Sequence, residues 1–286
     1  MVRAIKDLFR HDKKFRFGFS IMIFFIIISF VSLFSPYDLS TWNVVPRDLS
    51  PSLKYPLGTN SMGQDIFWKA TAAVKNSLLL GLIAALVSRI IAIILGLLAG
   101  YMGGTVDRVI MTITDSFIII PLFPLLILVS SILRASLDIF VLGIILGLFG
   151  WANDARLLRS QILSIREREF TKTAVLSGMK PTRIIIKEHL PHIIPLIMAT
   201  VINNIVWVIG MEVTLSVLGL SSLNTPTIGT MIYWAQQYQA VFLEMWHWIL
   251  TPIVICVVLI ISLYFISTSI STYLDPRTRV RMIKGE

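Results

Sequence analysis

Charge is scarce in this chain. Only 14% of its 286 residues are Asp, Glu, Lys or Arg, against about 25% in soluble globular domains. With 56% hydrophobic residues and a mean hydropathy of +0.81, that scarcity excludes an ordinary soluble domain. No polar stretch exceeds about 45 residues, too short for an independent core. Cysteine is nearly absent: Cys256 stands alone inside an apolar run, which excludes a disulfide framework and a cysteine-based metal site. The histidines are His11, His189, His192 and His247. His189 and His192 are three apart, but Pro191 lies between them and no thiol or acidic set completes a metal site. The chain has no GxxxxGK[ST] loop, so it is not expected to bind ATP by that route. HExxH and GxSxG are missing too, and no catalytic residue stands out. There is no short-period repeat and no low-complexity tract.

What the chain does have is long apolar runs. Six read as transmembrane helices: 17–35, 76–100, 113–133, 137–152, 193–220 and 248–272. The fourth is short. The first follows a basic segment of 16 residues with no small-residue cleavage site after it, so a retained span fits better than a signal peptide. The fold class is therefore an all-α, polytopic membrane protein. The net charge of +9 does not point to nucleic acid, because the basic residues cluster at the ends of apolar runs. With the N-terminus inside, cytoplasmic segments hold 19 of the 25 Lys and Arg residues, external segments five, and Arg89 lies within a span. This positive-inside bias places both termini in the cytoplasm.

The resulting organisation is a cytoplasmic segment 1–16, the first helix 17–35, an external loop 36–75, a five-helix core 76–272 and a cytoplasmic tail 273–286. The external loop is broken by Pro36, Pro46, Pro51, Pro56 and Gly58, with a short helix expected near Ser61–Trp68. Within the core lie a cytoplasmic loop 153–192 and an external loop 221–247. The latter carries YWAQQYQ and MWHW, which suit either an interface or an aromatic belt.

The 153–192 loop is strongly patterned and holds eight Lys and Arg residues. Phe170–Ser177 should form a short helix, Gly178 a left-handed helix end, and Pro181 the first turn of a second helix that stops before Pro191. Ala174, Ser177 and Gly178 offer a small-residue surface for another protein's backbone. Basic residues around it suit acidic groups of a protein or anionic lipid headgroups. Spacing alone does not separate a docking element from a helix resting on lipid.

The residues of this loop resemble a known motif. Lys172, Thr173, Ala174, Gly178, Leu190 and Pro191 are similar to the EAA motif of binding-protein-dependent ABC transporter permeases, E-A-A-x3-G-x9-I-x-L-P. Lys172, Thr173 and Glu188 depart from it, while the Gly and the Leu-Pro stay in register. YPLGTNSMGQDIF (Tyr55–Phe67) is similar to HPLGTDxxGRDxF of the C-type subunits of dipeptide/oligopeptide permeases. GYMGGTVDRVIM (Gly100–Met111) with Asp115 and Pro121, the 150–170 stretch, EVTLSVLGL (Glu212–Leu220) and LDPR (Leu274–Arg277) follow in the same order.

The resemblance implies a type I (MetI-like) importer permease fold and a non-catalytic subunit forming half of a heterodimeric pore. Its partners would be a B-type permease subunit, two cytoplasmic ATPase subunits, an extracytoplasmic solute-binding protein and the lipid bilayer of the cell membrane. ATP and Mg would bind the ATPases, and this chain itself no cofactor. Coupling to the ATPases would fall on Arg168, Phe170, Lys172, Thr173, Ala174, Ser177, Gly178, Leu190 and Pro191. Substrates of the family include di- and oligopeptides, nickel chelates and oligosaccharides. A self-sufficient channel, a secondary transporter and a scaffold are the readings from other classes.

Four intramembrane residues are candidates for the translocation path: Arg89, Asn203, Trp207 and Glu212. Arg89 lies about twelve residues from each end of its span, where a charge is costly, so it should face protein or water and pair with Glu212 or Asp115. Asn204 is better read as a helix-joining amide. Asn203 and Trp207, four apart, can share a face toward the path.

Overall fold

The computed structural model of the chain describes residues 2–133 and 137–274. Arg134, the end of the LDPR motif and the tail beyond it lie outside the described residues. A surface helix, α1 (Val2–His11), precedes α2 (Lys13–Val31). The boundary between them is set by Asp12, whose carboxylate accepts from the backbone N–H groups of Lys14 at 2.7 Å and Phe15 at 3.1 Å. After a 3-10 turn at Ser32–Phe34 the chain runs irregularly to α3 (Ile66–Met102). Then come α4 (Gly104–Ile119), α5 (Leu122–Leu133), α6 (Ile139–Phe149) and α7 (Ala152–Arg166). The chain continues with α8 (Glu169–Leu176), α9 (Pro181–Ile184), α10 (Leu190–Val217), α11 (Ile228–Gln237) and α12 (Trp246–Leu274).

Among the described residues four helical units are long and apolar enough to cross a bilayer, and up to six if each of two bent pairs is one span. The six apolar runs thus find their helices, with local corrections. The third run bends by 79° between α4 and α5. Ile120 is extended there (ψ 127°) because the following Pro121 disfavours helix at the preceding residue and brings no N–H of its own. The fourth run does not end at Ala152. After a 46° bend it continues as α7 to Arg166, so the first third of the expected 153–192 loop is helix packed on the bundle. No helix forms at Ser61–Gln64. Asn60 Oδ1 instead accepts from Met62 N at 3.1 Å and Gln64 N at 2.9 Å, closing a turn that delivers the chain to Asp65.

Asp65 caps α3, accepting from Phe67 N at 2.9 Å and Trp68 N at 3.4 Å. Burial nevertheless raises its carboxyl above the usual range, against the pull of those two donors. α3 is the central element and packs against α2, α6, α7 and α10. Lipid gives helices no hydrophobic reason to associate, so close contact must come from small side chains. Gly96 and Gly100 provide it. A Cβ on Gly96 would lie 2.8 Å from the Ala155 carbonyl oxygen, and one on Gly100 2.7 Å from Ile162 Cβ. These two positions let α7 lie on α3 and bury Ala155, Leu158 and Ile162.

At the opposite end of α3, α11 is fixed across the bundle. Ile228 N donates to Ser77 Oγ at 3.1 Å, and Asn76 Nδ2 to the Pro226 carbonyl at 2.7 Å. The aromatic residues of the 221–247 loop divide: Trp234 meets Trp42 edge-on at 5.5 Å and Tyr238 lies 5.7 Å from Trp248, while Phe242 and Trp246 are exposed.

Candidate functional site

The residues singled out in the 153–192 segment fold into a projecting helix pair. α8 begins after an extended Arg168 and ends in a left-handed turn at Gly178 (φ 73°). Gly178 N donates to Val175 O at 3.0 Å and Met179 N to Ala174 O at 3.1 Å, the paired bonds of a Schellman end. The expected glycine stop is therefore present. Lys180 is extended, and Pro181 opens α9 at its first position, where a missing N–H costs nothing.

The second helix does not stop before Pro191. α9 passes through a π turn, Ile185–His189, directly into α10, so 181–217 is one continuous helical unit of 37 residues. The wide turn is where a helix absorbs a residue without an N–H, and Pro191 sits at the first positions of α10 just beyond it.

The small-residue surface also needs correction. Ala174 is 8% exposed and faces the bundle with Thr171, whereas Ser177 and Gly178 are exposed. What α8 presents outward is apolar: Val175 at 55% and Leu176 at 88% exposure. Arg168, Lys172 and Thr173 are exposed around them, and Phe170 and Leu190 are half-buried, with Pro191 exposed. A cleft of about 540 Å³ opens beside the helix, lined by Tyr101, Arg166, Glu167, Thr171, Lys172 and the two apolar residues.

Two histidines that the spacing placed together take different roles. His192 stacks on Phe170 at 4.9 Å, nearly parallel. His189 is fully buried, and its Nε2 lies 3.1 Å from Thr171 Oγ1. The Thr171 hydroxyl already donates to Ile165 O at 2.9 Å, so the imidazole N–H is the donor to it. Through this pair α8 is tied to the end of α7 and to the π turn. The sequence carried no signal for Thr171, because a threonine in a short helix ordinarily faces water.

Inside the bundle the polar candidates are divided among separate contacts. Arg89 is buried on α3, and its partner is Asp154 on α7, at 2.8 Å, rather than Glu212 or Asp115. Its Nη1 also donates to Thr200 Oγ1 at 2.7 Å on α10. Asp115 is taken by Arg156, and Arg159 chelates Asp107 with contacts of 2.6 and 2.5 Å. These pairs arise because α7 continues beyond Ala152 along α3 and α4, which brings Asp154, Arg156 and Arg159 beside residues remote in sequence.

Glu212 is fully buried at the other end of α10. Its Oε1 accepts from Ser216 Oγ at 2.6 Å and Thr227 Oγ1 at 2.5 Å, joining α10 to the cap of α11. Asn204 is buried and reaches Ser88 Oγ and Gly150 O, each at 3.4 Å, so it joins α10 to α3 and α6. Asn203 accepts from Ser267 Oγ at 2.6 Å on α12 while remaining exposed. Trp207 is half-buried, and its ring lies against Gly150 together with Asn204. Among the described residues no group of three or more His, Cys, Asp or Glu is placed to hold a metal ion.

The sequence is similar to known proteins over most of its length. A family described as binding-protein-dependent transport system inner membrane component matches residues 92–280. The chain is 30% identical over 213 residues to the oligopeptide transport system permease protein OppC of Bacillus subtilis strain 168, covering 74% of this chain and 69% of that one. It is 29% identical over 262 residues to the OppC protein of Mycobacterium tuberculosis strain H37Rv, covering 89% and 88%. It is also 29% identical over 228 residues to the nickel transport system permease protein NikC of Escherichia coli K12, covering 77% and 81%.

Proposed function

The chain belongs to the family of binding-protein-dependent transport system inner membrane components, and from that premise we propose that it forms half of a heterodimeric pore importing di- and oligopeptides. The other half is a B-type permease subunit, two cytoplasmic ATPases supply the energy and bind ATP and Mg, and an extracytoplasmic protein delivers the substrate. Both termini and the α8–α9 pair face the cytoplasm, in keeping with the excess of Lys and Arg in those segments.

The observation that carries this reading is the continuity of α9 with α10. A movement of the projecting pair is transmitted along a single helical unit of 37 residues, about 55 Å long at 1.5 Å per residue. Val175 and Leu176 are the apolar contact of α8 with an ATPase, flanked by Arg168, Lys172 and Thr173. Phe170, Ala174, Leu190 and Pro191 hold that surface in place, and Ser177 and Gly178 let the partner's backbone approach. On α10, Asn203 and Trp207 border the path, and Glu212 and Arg89 fix its walls.

Relatives named for oligopeptide transport support peptides as the substrate class. Reconstitution in proteoliposomes with the partner permease, the ATPases and the binding protein tests the proposal. ATP-dependent uptake of labelled di- to pentapeptides is expected. Uptake of nickel chelates or oligosaccharides alone overturns the substrate, and uptake without ATPase or ATP overturns the function.

A further inference from the structure

A groove of about 380 Å³ runs between α2 and α3 on the outer surface of the bundle. Its walls are Ile26, Phe30 and Leu33 on one side and Leu79 and Leu82 on the other, all between 37% and 65% exposed. The one hydroxyl in it, Ser29 Oγ, already donates to Phe25 O at 2.8 Å, so the groove asks for no polar partner along its length. Lys75 completes the lining. Among the described residues the ion pairs engage Arg89, Arg156 and Arg159, and Lys75 has neither an ion pair nor a hydrogen bond.

Lys75 immediately precedes the apolar run 76–100 and shares the groove with Leu33 of the turn Ser32–Phe34, after which the chain becomes polar. That is the depth of lipid headgroups, and the seven residues from Lys75 to Leu82 then run about 10 Å into the hydrocarbon. An uncompensated ammonium at that depth attracts phosphate, while the apolar walls accommodate an acyl chain.

We propose that this groove binds an anionic phospholipid, its phosphate on Lys75 and one acyl chain between α2 and α3. The assignment rests on the chain spanning the bilayer and not on which way it faces. A transmembrane helix of a neighbouring subunit is the competing occupant.

The test uses the protein purified with its co-purifying subunits, delipidated and titrated with phosphatidylglycerol or phosphatidylcholine of the same acyl chains. Retained lipid is counted by native mass spectrometry. The wild type is expected to prefer phosphatidylglycerol by about fivefold, the effect of one lysine beside anionic headgroups. Lys75→Ala should lose that preference, Leu82→Trp should lower retention of both lipids, and Lys54→Ala, an exposed lysine outside the groove, should match the wild type. Equal retention of the two lipids by the wild type, an unchanged preference in Lys75→Ala, or full retention in Leu82→Trp overturns the proposal. So does efficient cross-linking of Ser29→Cys to a neighbouring subunit.

Discussion

Arg89 and Asp154, 65 positions apart in the chain, meet at 2.8 Å inside the bundle, and Thr200 completes the contact from a third helix. The pair binds the middle of α3 to the first turn of α7, one turn beyond the bend that separates α6 from α7. It therefore fixes α7 against α3 just after the bend that divides the fourth span.

Removing one partner of such a pair leaves an uncompensated buried charge, which costs about 3–5 kcal/mol, whereas replacing both by apolar residues is close to neutral. Arg89→Ala and Asp154→Ala are thus expected to lower the thermal midpoint of the purified protein sharply. The double variant Arg89→Met/Asp154→Leu should recover most of the loss. Equal destabilisation in the double variant would show that the charges are not energetically coupled.

Leu176 gains nothing from its own chain at 88% exposure. Leu176→Glu is expected to leave the melting temperature within about 1 °C, as surface changes away from special features shift stability little. It should nonetheless weaken co-purification of the ATPase subunits at least tenfold. If ATPase recovery is unchanged, α8 does not make that contact.

Among the described residues nothing lies within 4 Å of a Cβ built on Gly178, and its φ of 73° is what calls for a glycine there. A side chain in that conformation costs about 1–2 kcal/mol, too little to unfold the bundle. Gly178→Asp should therefore insert and assemble normally while losing coupled transport. Normal uptake by the assembled variant counts against a coupling role for this turn.

Thr171 is the acceptor for His189 and the link from α8 to α7. Thr171→Val keeps the shape but leaves an imidazole N–H buried without a partner, at a cost of about 1–3 kcal/mol. Amide exchange in 169–176 should accelerate by tenfold or more while α3 stays protected, as expected when one local unit opens below the global barrier. Unaltered exchange in α8 would mean that packing, not this bond, holds the element.

Trp207 sits against Gly150 in the half-buried layer between α10 and α6. Trp207→Ala is expected to alter the rate or the peptide preference of uptake without preventing assembly. Identical kinetics across peptides of different length and side chain would remove Trp207 from the path.

The candidate site was only partly legible before the fold was known. The glycine stop at Gly178 and the restart at Pro181 were readable because backbone conformation at these two residues is dictated locally. Which side of α8 faces the bundle was not. Ala174 looks like a surface contact in the sequence, yet it is buried, and Leu176, two positions on and on the far side of the helix, is the side chain left exposed. The orientation of an eight-residue helix is set by what anchors it, here Thr171 on His189, and that anchor lies 18 positions away. The partner of Arg89 is hidden in the sequence for a similar reason. Asp154 falls in the segment that reads as a cytoplasmic loop, since nothing local says that the helix resumes after Gly150 and Trp151 and packs on Gly96 and Gly100.

By itself the sequence determined the six apolar runs, their helical state, the distribution of positive charge and the order of the family motifs. Each follows from terms that act residue by residue: transfer into lipid, the obligation to pair every backbone group within the segment, and the placement of cations outside the hydrocarbon. Only the tertiary structure decided that α9 runs unbroken through a π turn into α10, that Arg89 pairs with Asp154, and that Glu212 clasps the cap of α11. These are outcomes of which helices lie side by side. A buried charge or hydroxyl takes whichever partner the packing brings within hydrogen-bond distance, and the packing here was settled by where α3 is smooth enough for another backbone to approach.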